Sequence, residues 1–269
     1  MRVRVLRPHM GDGGKIVEAG EILKVSLLRA KDLEQRKLAI PTFDQGAVNK
    51  LVEVADKKTS PLYETAPAWW PDWRGEPCII VASGPSAADV DLSAARGKAR
   101  IITINTSWKL APWADVLYAC DFAWWKFNNG ARGFQGMKIS QDADTPRHFP
   151  EIKRVESRRD RDDILLTEPG VIGWGGNGGF QALNLAAQFL PSKIVLVGYD
   201  MRIDLGMHWH GPHPNGQNNP MAKNIERWRR AIDGASETFE ALGIPVVNCS
   251  KISALKNYPR VTFEDAIGC

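Results

Sequence analysis

The 269-residue chain has only four cysteines, Cys78, Cys120, Cys249 and Cys269, and none forms a Cys-x-x-Cys pair. That excludes a zinc ribbon and gives no disulfide framework, so buried free thiols are expected. No stretch approaches the roughly 18 apolar residues of a membrane span. The basic start Met-Arg-Val-Arg-Val-Leu-Arg-Pro lacks the apolar region and cleavage site of a secretory signal, and a cytoplasmic protein is expected. A P-loop is also lacking. Charge of one sign is scarce: 35 Lys+Arg stand against 31 Asp+Glu, a net +4. The surplus lies in residues 1–50, with ten basic and six acidic side chains, while the rest of the chain is balanced. This distribution argues against nucleic acid or a membrane as partner of the larger part. With 43% hydrophobic and 25% charged residues, collagen, coiled coil and bulk disorder are excluded.

What is present divides into three parts. Residues 1–45 read as a small β-rich module with a short helix. Val3 and Val5 alternate with arginines, Gly11-Asp12-Gly13-Gly14 supplies a turn, Lys15-Ile16-Val17 returns as a strand, and residues 21–25 form a third. Residues 29–38 read as the helix. Residues 46–76 carry Pro61, Pro67 and Pro71 and the cluster Trp69-Trp70-Pro71-Asp72-Trp73, a linker or strap whose indoles are expected to pack onto the next domain. Residues 77–269 show short apolar runs at 78–82, 101–104, 116–119, 164–166, 194–197 and 245–247, separated by helical stretches. This is the pattern of an α/β fold with a Rossmann-like, mostly parallel sheet and flanking helices. Helices are predicted over 180–190 and over 225–242, the second capped by Asn219-Pro220 and stopped by Gly243. Residues 153–163 read as a solvated, charged segment.

In such a sheet ligands bind beyond the carboxyl ends of the strands. After the first strand stand Ser83, Gly84, Pro85 and Ser86, small and polar, suited to phosphate; after the second stands Asn105, and after the third Cys120-Asp121. The run 173–179 (GWGGNGG) opens a helix and formally contains Gly-x-Gly-x-x-Gly, with Asp200 22 residues beyond Gly178, as in a dinucleotide fingerprint. Pro169-Gly170 separates that run from the apolar stretch 164–166, so what remains is a glycine-rich loop, Gly175, Gly176, Asn177 and Gly178, favouring an anionic group. Three of the five histidines, His208, His210 and His213, fall within six residues. Imidazoles so spaced can converge on one metal ion, or one of them can serve as general acid or base. Acid–base chemistry is favoured, because no carboxylate or cysteine spacing completes a metal motif.

Taken together, Ser83-Gly84-Pro85-Ser86, Asn105, Asn177-Gly178, the run 194–200 (IVLVGYD) and a histidine loop before a long helix resemble, in order and spacing, small bacterial CMP-sialic-acid-dependent sialyltransferases. Related proteins are the motility-accessory-factor type glycosyltransferases and the archaeal 6-hydroxymethylpterin pyrophosphokinases. The resemblance spans about residues 77–255. It implies that Gly84, Pro85 and Ser86 line nucleotide phosphates, that Asn105 touches ribose or base, that Asn177 and Gly178 contact the nucleotide, and that His210 or His213 is the base on the acceptor hydroxyl. The chain departs from the pattern at Cys120-Asp121, where those enzymes carry asparagine, at Asn177, where they carry serine, and in residues 201–218, which lack tyrosine. The N-terminal module resembles a short β-rich segment of tailed-phage proteins, and the His-Trp-His-Gly-x-His loop is similar to that of phage-encoded relatives of the transferases.

The expectation is a nucleotide-dependent, glycosyltransferase-like enzyme that moves a sugar from a nucleotide donor to a hydroxyl. Ser83 to Ser86 and Gly175 to Gly178 would cradle the donor, His213 or His210 would take the proton, and Asp121 or Asp200 would orient ribose or acceptor. Its cofactor would be a nucleotide or nucleotide sugar; a divalent metal is compatible but not indicated. The alternative is a phage virion or morphogenesis protein with an inactive Rossmann-like domain, docking to phage proteins through residues 1–76. A third reading, phosphoryl transfer from ATP, needs Asp121 and Asp200 to share a metal.

Overall fold

The computed structural model describes residues 2–5, 7–11, 15–19, 21–24, 33, 36–41, 65–214 and 218–268. The chain divides into two compact units, Met1–Asp56 and Lys57–Cys269.

In the first unit, β1 (Arg2–Val5) pairs antiparallel with both β4 (Ile22–Lys24) and β5 (Ala39–Pro41). The strand that returns after the glycine turn, β3 (Ile16–Val17), pairs not with β1 but with β2 (His9–Met10). Pro8 explains the division, since it has no N–H for a continuous ladder. Residues 12–14 and most of 29–35, where a turn and a helix were predicted, lie outside the described residues. Arg36–Leu38 form a turn rather than helix, with Leu38 N–H bonded to the Leu33 carbonyl at 2.9 Å.

The second unit is built on seven strands, parallel throughout: β6 (Pro77–Val81), β7 (Arg100–Ile104), β8 (Val116–Tyr118), β9 (Met137–Ser140), β10 (Lys153–Arg154), β13 (Lys193–Val197) and β14 (Val246–Asn248). Their order is β10-β9-β8-β7-β6-β13-β14. From β6 the chain first runs outward through β7 to β10, then returns to the other side of β6 with β13. The sheet therefore has a topological switch point between β6 and β13, where parallel α/β sheets form their ligand crevice.

Period-two alternation distributes the strands' apolar residues to both faces. Ile79, Val81, Ile101, Leu117, Val195 and Val197 share one core with Trp124 and Trp125 of α1 (Phe122–Phe127). Cys78, Ile80, Ile102, Ile194 and Leu196, all buried, are left for the opposite face. There α3 (Gly178–Phe189) packs on β6 and β7; α2 (Thr145–His148) lies earlier in the chain. Every residue of α3 from Gly179 to Phe189 is buried. Trp70 and Trp73 of the Pro/Trp-rich segment meet the last of these, Phe189, edge-on at ring separations of 5.1 and 4.7 Å.

Burying α3 on all sides would strand its polar side chains, and their use explains where the sequence reading departs from the structure. The run 164–166 is not a strand. Asn184 accepts from the N–H groups of Leu165 at 2.9 Å and Gly173 at 2.8 Å, and donates to the Leu165 carbonyl at 2.8 Å. Gln188 accepts from Gly170 N–H at 2.9 Å and donates to the carbonyls of Leu165 and Val171 at 2.8 Å each. These side chains take the bonds that a neighbouring strand would otherwise make. The strand in this region is β12 (Val171–Gly173), paired in parallel with β11 (Glu156–Arg158), inside the segment expected to be merely solvated. The long helix expected over 225–242 is two, α4 (Ala222–Gly234) and α5 (Ser236–Leu242), meeting at Ala235; α6 (Phe263–Ile267) follows. Among the described residues no helix is long and apolar enough to cross a membrane.

Candidate functional site

The switch point is a place where two backbones touch. Gly84 N–H bonds to the Gly198 carbonyl at 3.0 Å, and a Cβ on Gly84 would lie 2.4 Å from that same oxygen. Gly198 has φ +70°, and its own Cβ would lie 2.6 Å from the Ala82 carbonyl oxygen. Only glycine allows both the left-handed turn and the approach. Beyond this pair opens a cavity of about 410 Å³, within the usual range for small-molecule sites.

Its wall gathers the strand ends. Ser83 and Gly84 come from the end of β6, Asn105 from β7, Cys120 and Asp121 from β8, and Gly176 to Gly179 from the entry to α3. Asn177 caps that helix, its side chain accepting from Phe180 N–H at 2.9 Å. The remaining N–H groups and the helix dipole favour an anion there. Asn105 has φ +51° and Met201, also on the wall, φ +50°. Non-glycine residues in the left-handed region cluster at ligand sites, and asparagine tolerates it far better than methionine.

Not every residue singled out from the sequence reaches this wall. Pro85, Ser86, Gly175 and His210 are not on it. Ser86 turns inward, where its N–H bonds to Asp200 Oδ2 at 2.8 Å and its hydroxyl to Asp200 Oδ1. Asp200 touches the cavity, but it is 1% exposed and its carboxylate is occupied by Ser86. Through these bonds it buttresses the β6 loop. Burial raises its pKa despite the two bonds from Ser86. Gly175 instead packs under Phe180, whose ring carbon would lie 2.1 Å from a Cβ there.

The histidine loop is fastened to the β6 loop. Trp209 N–H bonds to the Ser83 carbonyl at 3.0 Å and its indole N–H to Ser107 Oγ at 3.2 Å. On the far side Asn219, expected as a helix cap, forms a pair of bonds with the His213 main chain at 2.8 and 3.1 Å. Helix α4 consequently begins at Ala222 without a side-chain cap. Between these anchors Gly211, at φ +81°, folds the loop back, its N–H on the His208 carbonyl at 3.1 Å. The turn brings all three imidazoles together, with ring separations of 5.2, 4.6 and 5.1 Å.

His208, a member of the histidine cluster but not one of the two expected bases, lines the cavity together with His213. Burial, then the neighbouring imidazoles, hold His208 and His210 down to about 4, so both rings are neutral at physiological pH. His213 is also lowered by burial, but the Asp121 charge works against the shift. Asp121 itself is raised by burial, partly offset by a bond from Asn218. Burial, then the Asp121 charge, likewise pushes the Cys120 thiol up, which disfavours its thiolate form. Other wall residues that no sequence motif marked are Arg202, Ile203 and Trp228.

No protein-family model matches the chain, and no curated protein does. Among solved structures it is similar to the sialyltransferase CstII from Campylobacter jejuni. In complex with the substrate analogue CMP-3FNeuAc, that enzyme gives a TM-score of 0.41 at 11% identity, covering 69% of this chain and 86% of that one. In complex with cytidine-5'-monophosphate it gives a TM-score of 0.45 at 11% identity, covering 69% of this chain and 84% of that one. Neither likeness assigns this chain to a family.

Proposed function

We propose that the protein is a nucleotide-dependent transferase that moves a sugar from a nucleotide donor to an acceptor hydroxyl. The observation that carries this reading is the convergence of Ser83, Gly84, Asn105, Asp121, Gly176 to Gly179 and His213 on one cavity at the switch point. In this reading the donor phosphates lie at the entry to α3, opposite the β6 loop, where glycines admit them to main-chain N–H groups. Asn105 meets the ribose or base. The acceptor oxygen forms a bond to the anomeric carbon as the carbon–oxygen bond to phosphate breaks. The nucleotide leaves, and the acceptor proton passes to the Asp121–His213 pair on the same wall.

Calorimetric titration of the full chain with CMP, UDP, GDP and ATP, with and without Mg²⁺, tests the first requirement. Saturable binding of one nucleotide, weakened at least about tenfold by Gly84→Ala, supports the reading. No binding to any of the four refutes it.

A further inference from the structure

We propose that His208, His210 and His213 form a binding site for one divalent transition-metal ion of the zinc type. One nitrogen from each of the three rings lies within 4.8 Å of the others. A Zn–N bond of about 2.0–2.1 Å sets tetrahedral ligand nitrogens roughly 3.3 Å apart, so modest ring rotations complete the approach.

Two further observations point to an ion rather than to three incidental rings. His208 Nε2 and His210 Nε2 are both buried and have no hydrogen-bond partner in the protein. Buried polar nitrogens are rarely left unmet, and here two stand side by side with a third imidazole facing them. The loop is also held in shape from outside the cluster. Trp209 is bonded to Ser83 and Ser107, and His213 is clamped by Asn219 through its main chain, so none of these bonds uses an imidazole nitrogen. The scaffold thus fixes the turn while leaving Nε2 of His208 and of His210 for a ligand.

The donor set selects the ion. Three imidazoles, with no carboxylate or thiolate among them, suit Zn²⁺, Co²⁺, Ni²⁺ or Cu²⁺ and disfavour Mg²⁺ and Ca²⁺. Three protein ligands leave a fourth position of a tetrahedral ion open, as in sites where the ion meets water or substrate. Since His208 and His213 stand on the cavity wall, the ion would sit at its margin. The site does not depend on the transferase reading. If both hold, His213 serves as a ligand in the ion-bound form, and Asp121 is the group that remains to receive the acceptor proton.

The test uses the full chain, stripped with a chelator and titrated with CoCl₂ and ZnCl₂ without nucleotide. One equivalent of Co²⁺ giving visible ligand-field bands, displaced by Zn²⁺, is expected. His208→Ala, His210→Ala and His213→Ala should each weaken the ion by more than about 100-fold, beyond the roughly 10–100-fold cost of an outer-shell change. His148→Ala, at an exposed histidine outside the cluster, should bind as the parent does. His210→Gln, which keeps a polar side chain at a position off the cavity wall, is the second variant should an alanine variant fail to fold. No binding of either ion by the parent protein, or parental affinity in a folded His210 variant, overturns the proposal. Because no nucleotide is present, its failure leaves the transferase reading to its own titration.

Discussion

Asp200 and Ser86, 114 residues apart in sequence, close on each other through two bonds, the serine N–H and hydroxyl both donating to one carboxylate. This pair fixes the first βα loop against the strand that flanks it. Asp200→Ala leaves both Ser86 donors buried and unmet, at about 1–3 kcal/mol each. A loss of about 2–4 kcal/mol in urea denaturation is expected, and a loss under 1 kcal/mol would show that the pair is not a buttress.

Asp200→Asn gives a different result, because the folded-state pKa of Asp200 is raised by burial. A raised carboxyl pKa contributes stability at low pH that is lost as pH climbs through the folded value. The asparagine variant, which does not titrate, should therefore gain on the parent protein as pH rises above the ordinary carboxylate range. Paired denaturation curves from pH 3 to 7 check this, and parallel profiles would refute it.

Asn184→Leu should free the segment from Leu165 to Gly173. It removes one acceptor and one donor that meet three main-chain groups; the Leu165 carbonyl keeps its bond from Gln188, so the N–H groups of Leu165 and Gly173 are left unmet, at a cost of about 2 kcal/mol or more. In hydrogen exchange the amides of Leu165 and Gly173 should lose protection ahead of those of β6. Uniform loss across the sheet would contradict the pinning role.

At Asn105, φ +51° separates backbone from side chain. Asn105→Gly should keep the fold, with stability changed by less than about 1 kcal/mol, whereas Asn105→Val should cost about 1–3 kcal/mol through a strained backbone. Nucleotide affinity should fall in both if the amide touches the ligand. A valine variant as stable as the parent would mean that the loop does not need the left-handed turn.

Removing an indole tests the Pro/Trp-rich segment. Trp73 is 4% exposed and packs edge-on against Phe189, so Trp73→Ala should cost about 3–5 kcal/mol, as for large core truncations. Cost-free replacement in a thermal melt would make the segment an ornament rather than part of the core.

The strands readable from sequence were those buried on both faces, because a continuous β-branched run such as Ile79-Ile80-Val81 has few other uses. β9 escaped notice since its Met-Lys-Ile-Ser carries a lysine. In the fold Lys138 is buried and its ammonium donates to the Gly130 carbonyl at 2.8 Å. The run 164–166 misled for the opposite reason: its apolar residues suggested a strand, but bonding partners 19 to 23 residues away in α3 decided otherwise. In the site, small polar residues after β6, β7 and β8 were legible as a class, yet nothing local distinguished Ser83, which lines the cavity, from Ser86, which turns to Asp200. The three histidines were visible as a cluster. Their convergence depends on the left-handed turn at Gly211 and on the two anchors, Trp209 and Asn219, and the spacing alone did not convey it.

The position of β6 inside the sheet, between β7 and β13, has a bearing on the order of folding. Its first neighbour, β7, begins 23 residues after β6 starts, but its other neighbour, β13, begins only at Lys193, which pairs with Pro77. During synthesis one edge of this inner strand therefore stays unpaired while more than a hundred residues are made, and parallel pairings across such a span form slowly. An open apolar strand edge is a template for pairing with other chains. The candidate site and an open strand edge of the nascent protein are the same seam, and the arrival of residues 193–200 closes one as it creates the other.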